Sequence, residues 1–185
     1  LQDMTELFSD QGTNPSERGV TVLSDGDLYF CEGTHYGVVR VDGSLDVRMM
    51  GFPSDASKVV LDAGLAGTAV ISEGNGVSLE IYGMTIQNGL GAQGFGGVAV
   101  DSEDTEGFPG GGLLVLENVV VQFNSAALVG GVFAAGTDVR ITDSEIVDNT
   151  GSVMYGGILV RDGVLDMERV DISRNTSPIF AGVTY

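Results

Sequence analysis

Carboxylates are the only side chains in this sequence present in the number and pattern that catalysis would need: Asp and Glu total 26, against one His, one Cys and eight Lys plus Arg. Glu145 and Asp171 stand out because each precedes a recurring isoleucine, Ile146 and Ile172, in successive stretches of similar pattern. On adjacent parallel strands, about 4.8 Å apart, they would face outward side by side. Like charge at that distance raises the pKa of one member, which is what a glycosidase general acid requires. Against this, the equivalent positions further upstream are Thr85 and Val120, so no wider acidic cluster forms, and Arg169 and Arg174 lie close enough in sequence to neutralise Asp171. The pair reads first as a solvated face and only second as a hydrolase centre. A lyase would need a base beside a bound cation; Lys58 is the single lysine and no arginine has a clear acidic site around it. No catalytic residue is therefore expected.

The remaining chemistry is thinner still. Asp101, Glu103, Asp104 and Glu106 supply oxygen ligands of the kind calcium takes, but not at the spacing of a helix-loop-helix or nonapeptide calcium site. An ordinary solvated loop is expected, with no metal and no cofactor, and a calcium titration that left thermal stability unchanged would dispose of the alternative. Cys31 and His35 are four apart in a segment that reads as strand and turn, which does not hold them on one face; Cys31 reads as a small core or turn residue. The glycine-rich runs at 91–97 and 110–112 lack the helix and Lys-Ser/Thr of a phosphate cradle. Asn175-Thr-Ser177 fits a glycosylation sequon, weakened by the Pro178 that follows it.

The composition bounds what scaffold carries these residues. A formal charge of −18 disfavours nucleic acid and anionic membrane surfaces as partners. At 43% hydrophobic residues and mean hydropathy +0.21 the 185-residue chain is not disordered, and it is long enough for one domain with a sizeable core. No apolar run reaches the roughly 18 residues of a membrane span, so direct membrane insertion is not expected. One cysteine excludes a disulfide framework. No signal peptide is visible from Leu1, and the chain reads as a mature or excised segment. Glycine is the anomaly: 29 of 185 residues, about twice the usual frequency, with only four prolines. That combination suggests many tight turns between short strands.

A repeat explains it. Leu79-Glu-Ile81…Ile86, Leu114-Val-Leu116…Val121, Val139-Arg-Ile141…Ile146 and Leu165-Asp-Met167…Ile172 align, and the last three place Asn124, Asn149 and Asn175 three residues after the final apolar landmark. The first has Gly89 there and Asn88 one place early. Small-residue pairs ending at Gly97, Gly131, Gly157 and Gly182 follow, each leading into a short apolar strand. The Val/Ile landmarks recur at 35, 25 and 26 residues and the glycine landmarks at 34, 26 and 25. Two independent rulers in step predict stacked units of three short strands sharing one core. The fold expected is all-β: a right-handed, single-stranded parallel β-helix (a solenoid) of about five to six rungs. A leucine-rich repeat lacks the asparagine and glycine-pair pattern, and a β-sandwich does not account for two rulers in register. The asparagines are expected to form an amide ladder, each in a left-handed conformation, and the glycines to sit where the chain bends. Arg140 and Asp166, at equivalent outward positions, should form a cross-rung ion pair worth about 0–1 kcal/mol.

The chain is read as one domain. Residues 1–19 form an N-terminal cap and loop, with a short capping helix through Leu1, Met4, Leu7 and Phe8; 20–78 are irregular first rungs; 79–185 are regular, with 101–112 an inserted loop. Val20–Val22, Leu28–Phe30 and Val39–Val41 make the first rung, and Leu45–Val47, Val59–Leu61 and Ala69–Ile71 the second. The last rung has no polar cap, which points to a continuing chain or to end-to-end self-association there.

Several of these features resemble bacterial surface proteins of the pectate-lyase-like β-helix superfamily, and most closely the chlamydial polymorphic membrane proteins and related adhesin-like repeats. Those repeat a Gly-Gly-apolar and a Phe-x-x-Asn motif. Gly131-Val132 and Gly157-Ile158 match the first, and Val121-Gln-Phe-Asn124, Ile146-Val-Asp-Asn149 and Ile172-Ser-Arg-Asn175 the second, with Val or Ile in place of Phe. The segment Gly26–Tyr36 looks like the first-rung opening of such proteins. The resemblance implies a secreted or cell-surface bacterial module, non-enzymatic, acting as adhesin, stalk or assembly segment, with its signal peptide outside this chain. The alternative is a polysaccharide-binding or polysaccharide-cleaving protein. A sugar site would align aromatic residues on one outer face, and Tyr82, Phe95, Phe108, Phe123, Phe133 and Tyr155 share no repeat position. A protein or polysaccharide partner is therefore expected, and no nucleic acid.

Overall fold

The computed structural model describes residues 19–92, 94–102 and 110–185. The expected capping helix lies outside the described residues, as do Glu103, Asp104, Glu106 and Phe108; among the described residues there is no helix. Every strand pairing is parallel. The first sheet stacks Gly26–Cys31, Asp46–Phe52, Ser78–Tyr82, Gly112–Glu117, Thr137–Thr142 and Leu165–Glu168. The second stacks Gly33–Tyr36, Val59–Asp62, Thr85–Gln87, Val120–Gln122, Glu145–Val147 and Asp171–Ser173. The third stacks Gly19–Val22, Val38–Asp42, Val70–Glu73, Val98–Asp101, Val132–Ala135, Ile158–Arg161 and Val183–Thr184. The chain visits first, second and third sheet in turn, and each visit pairs with the one before.

Alternation makes this work. Leu79 and Ile81 are buried with Glu80 outward, and Leu114, Leu116, Val139 and Ile141 repeat the pattern in register. Ile86, Val121, Ile146 and Ile172 form one column of the second sheet, and Val98, Val132, Ile158 and Val183 one of the third. The inward side chains of all three sheets make one continuous apolar cluster. Each fully buried Leu or Ile contributes about 1.5–3 kcal/mol. No single rung could close such a core.

Four expectations change. In the third to fifth rungs a fourth ladder forms between second and third sheets, from Leu90–Gly91, Ser125–Ala126 and Thr150–Gly151, so these three rungs carry four strands. Val20–Val22 pairs with Val39–Val41, so the two cannot share a rung; the second-sheet place is taken by Gly33–Tyr36. That strand escapes an apolar pattern because His35 fills the column of Leu61 and Ile86. In the second rung Val47, not Leu45, partners Leu79. Finally, Arg140 and Asp166 are register partners but make no ion pair within contact distance among the described residues; neighbouring side chains on a flat outer face need not reach across a rung.

The repeated turns explain glycine in two ways. Left-handed backbone recurs in three columns: Gly83, Asn118, Asp143 and Arg169 after the first sheet, Asn88, Phe123, Asp148 and Arg174 after the second, and Gly43, Gly136 and Asp162 after the third. All three lie outside the glycine landmarks. Gly97, Gly131 and Gly157 are constrained instead by closeness: a Cβ on each would lie 2.4 Å from the carbonyl oxygen of the next glycine in the column.

Candidate functional site

The asparagines lie inside the turn. Asn124 and Asn149 are almost fully buried, and the left-handed residue is in each case the one before, Phe123, Asp148 or Arg174. This corrects the expectation that the asparagines themselves adopt that conformation: the preceding residue turns the chain so that the amide points inward. Asn149 Oδ1 accepts from Asn124 N and Nδ2 at 3.1 and 3.0 Å. Asn175 Oδ1 does the same for Asn149, at 3.0 Å each. Each Nδ2 also donates to a carbonyl of the rung before, as from Asn149 to Val121 at 2.9 Å. The ladder ends where Gly89 N donates to Asn124 Oδ1 at 2.8 Å. A Cβ at Gly89 would meet the Gly96 oxygen at 1.9 Å, so the missing fourth asparagine is excluded by space, and the amide column serves to hold the rungs in register.

Outside that turn, arginines follow the left-handed columns. Arg174 embraces Asp148 with Nε and Nη2 each 2.9 Å from a carboxylate oxygen. Arg169 holds Asp143, with Nη2 2.8 Å from Oδ2, and also touches Glu168. Hydrogen bonds from Arg169 lower the Asp143 pKa below its ordinary 3.8. A depressed carboxylate stabilises the fold above its unfolded value and loses that contribution as pH falls through its folded value. Arg169→Gln should thus lower the melting temperature at neutral pH, with the difference vanishing in acid below the ordinary carboxylate value; a difference that persisted there would contradict the pairing. The pair is exposed, so the effect is small.

Glu145 and Asp171 are the register partners the sequence suggests, both exposed on the outer face of the second sheet. Thr85 and Val120 continue their column, and Thr85 is buried, donating to the Ala56 carbonyl at 2.6 Å. Asp148 and Asp143 take the arginines; Asp171 and Glu145 only add to the raised pKa of Arg174 that Asp148 chiefly causes. Neither acid lines a cleft described below. Cys31 is exposed rather than a core residue, since it ends its strand. His35 is buried, its Nε2 2.8 Å from the Cys31 carbonyl oxygen and its ring edge-on to Phe30 at 5.3 Å; the pair is architectural. Asp101 ends a strand of the third sheet, and among the described residues no group of three or more His, Cys, Asp or Glu is placed to hold a metal ion.

Two clefts remain. One, of about 430 Å³, lies on the outer first sheet among Asp25, Asp27, Asp46, Arg48 and Glu80. Its groups are engaged with each other: Arg48 Nη2 is 2.7 Å from Asp27 and Asp25 accepts from the Asp46 amide at 2.9 Å. Beside it, partial burial and the Glu80 carboxylate push Tyr82 up to about 12.

The other, of about 470 Å³, has an apolar, aromatic lining. It lies on the outer third sheet, where Ile71, Ala99, Phe133 and Leu159 succeed each other in register. Alongside runs a second column, Phe95, Val129, Tyr155 and Phe180, bridged rung to rung. Phe95 stacks on Phe133 with centroids 3.9 Å apart, and Tyr155 on Phe180 at 5.5 Å. Leu128 and Met154 complete the lining, with Asp101 and Arg161 among its bounding residues. This overturns the expectation that the aromatics share no position: Phe95 and Tyr155 do share one. They escape notice because Val129 interrupts the column and the bridges lie outside the regular strands. The spacing of 34 and 26 residues from Phe95 through Val129 to Tyr155, the step of the glycine ruler, is the signal that locates them. No family model, curated protein or solved structure matches the chain.

Proposed function

We propose that the chain is a stretch of right-handed parallel β-helix, of the pectate-lyase-like kind on which the chlamydial polymorphic membrane proteins and related adhesin-like bacterial proteins are built. It acts without catalysis, as a stiff adhesin, stalk or assembly module of a secreted or cell-surface protein. The observation that carries this reading is the separation of the two candidate chemistries. The acid pair marked by the repeat, Glu145 and Asp171, sits on an outer face without a described cleft, while the aromatic cleft on the third sheet is lined chiefly by apolar side chains. Parallel pairing in every sheet and the buried amide column support stiffness; the apolar cleft supports binding.

Two measurements test it. Protease added to intact source cells should cut the native protein, or the protein should be found in the medium; full protection until lysis would overturn the surface assignment. Incubation with a panel of acidic and neutral polysaccharides should release no reducing ends, and Glu145→Gln should change nothing. Release that falls at least a hundredfold in that variant would instead make the protein a glycosidase. End-to-end self-association through the last rung is part of the same proposal, and a strictly monomeric sedimentation profile at high concentration would remove it.

The polysaccharide-binding reading is favoured by one observation, the aromatic residues now seen on a single outer face. Sugar sites combine such rings with polar groups that fix hydroxyls, whereas Leu128, Val129, Met154 and Leu159 dominate this lining.

A further inference from the structure

Two asparagine–glycine steps occur in the chain, Asn75-Gly76 and Asn88-Gly89. Such a step carries its own chemistry. Glycine has no side chain to shield its amide nitrogen, so that nitrogen reaches the preceding side-chain amide carbon without steric hindrance. The fold treats the two steps differently. Gly89 is buried, and its amide donates to Asn124 Oδ1 at 2.8 Å. Asn88 Nδ2 donates to Asp62 Oδ2 at 2.8 Å, and the Asn88 carbonyl accepts from the Leu65 amide at 2.8 Å. The nucleophile, the side chain that would receive it and the peptide between them are all held by neighbouring rungs. Asn75 and Gly76 are both exposed, in the turn that leads from Val70–Glu73 to Ser78–Tyr82. Among the described residues no hydrogen bond holds the Asn75 side chain or the Gly76 amide.

We propose that Asn75 is a site of spontaneous deamidation, a modification from which the fold exempts Asn88. Base in the solvent removes the Gly76 N–H proton, and the nitrogen forms a bond to Asn75 Cγ. The Cγ–Nδ2 bond breaks, and Nδ2 leaves as ammonia after taking up a proton. The resulting succinimide adds water at one of its two carbonyl carbons. Attack at Cγ restores the peptide and leaves aspartate; attack at the backbone carbonyl carbon leaves the chain running through Cγ as isoaspartate. The sum is one water consumed and one ammonia released, with no oxidant and no cofactor. The turn is also closely packed on one side. Gly74 N donates to the Asp101 carbonyl at 3.0 Å, and a Cβ on Gly110 would lie 1.8 Å from the Ser102 carbonyl oxygen and 2.4 Å from Asn75 Oδ1. Both products bring negative charge into this corner, and isoaspartate adds a methylene to its main chain.

The full chain, held folded in mildly alkaline buffer over days, is digested and mapped by mass. The peptide carrying Asn75 should show the exchange of amide for acid and divide into two chromatographic species, one of them a substrate for a protein isoaspartyl methyltransferase. Asn88 should convert at least tenfold more slowly, because it reacts only through local opening, and in urea the two rates should come within about threefold. Asn75→Gln, whose longer side chain closes a larger ring, should remove the fast site and leave Asn88 unchanged. The Gly74 amide should exchange with deuterium faster in the isoaspartyl form than in the parent. Equal rates at the two asparagines in the folded chain would overturn the proposal. So would an Asn75 that stays intact while the free peptide Ser-Glu-Gly-Asn-Gly-Val-Ser converts. Protection of Asn88 that persisted in urea would assign the difference to flanking sequence and overturn the role given to the fold.

Discussion

Asn149→Ala is expected to destabilise the fold by about 3–5 kcal/mol, seen as a lower urea midpoint. The side chain makes four hydrogen bonds: two accepted from Asn124, and one donated each to the Val121 carbonyl and to Asn175. It is fully buried, so water cannot replace it. Truncation leaves the Asn124 backbone N–H and the Val121 carbonyl facing a void, while the Asn175 amide oxygen keeps the bond from the Asn149 backbone N–H, and unmet buried groups cost about 1–3 kcal/mol each. Relaxation of the turn recovers part of this. Asn175→Ala is the internal comparison. It makes three bonds of the same kind but is only half-buried, so a loss of about 1–2 kcal/mol is expected as water enters. Equal effects at the two positions would mean that burial does not govern the ladder.

Gly131→Ala should cost about 3 kcal/mol, at the upper end for overpacking, while Gly182→Ala should stay within about 0.5 kcal/mol of the parent. The two hold the same place in successive patterns of the sequence. At Gly131, a Cβ would lie 2.4 Å from the Gly157 carbonyl oxygen and 3.1 Å from the Ile146 side chain. A backbone oxygen is part of the ladder and cannot swing aside without opening the sheet. At Gly182, nothing lies within 4 Å, and neither glycine has the left-handed backbone that would penalise alanine by itself. Thermal melts of the two variants measure the contrast directly. A neutral Gly131→Ala would show that the rungs can separate there, and with it that the glycine column is not a stacking requirement.

How far this architecture can be read from the chain depends on what each residue answers to. Inward alternation at Leu79, Leu114, Val139 and Leu165 is legible because the same local demand, one apolar side chain into the core, recurs at every rung. Gly33–Tyr36 is not, because His35 meets that demand by a hydrogen bond to the Cys31 carbonyl and an edge-on contact with Phe30, which no hydropathy pattern records. The asparagine ladder is legible as a column, yet its conformation is misassigned: the sequence marks the inward amide, while the left-handed turn belongs to Phe123, Asp148 and Arg174, whose side chains have nothing in common. The Arg140–Asp166 pair shows the converse. Register places them opposite one another, but outward side chains choose partners by reach, and Arg169 and Arg174 instead hold the aspartates of the rung before.

By itself, then, the sequence determined an all-β fold of in-register parallel repeats, the buried amide column and the pairing of Glu145 with Asp171, because each follows from periodicity along the chain. Only the tertiary structure decided that the acid pair has no described cleft, that glycine is demanded by carbonyls of the next rung, and that Phe95, Phe133, Tyr155 and Leu159 converge on one outer face. Those are properties of separate rungs brought within a few ångströms. Residues 25 to 64 apart in the chain acquire them only when the rungs stack.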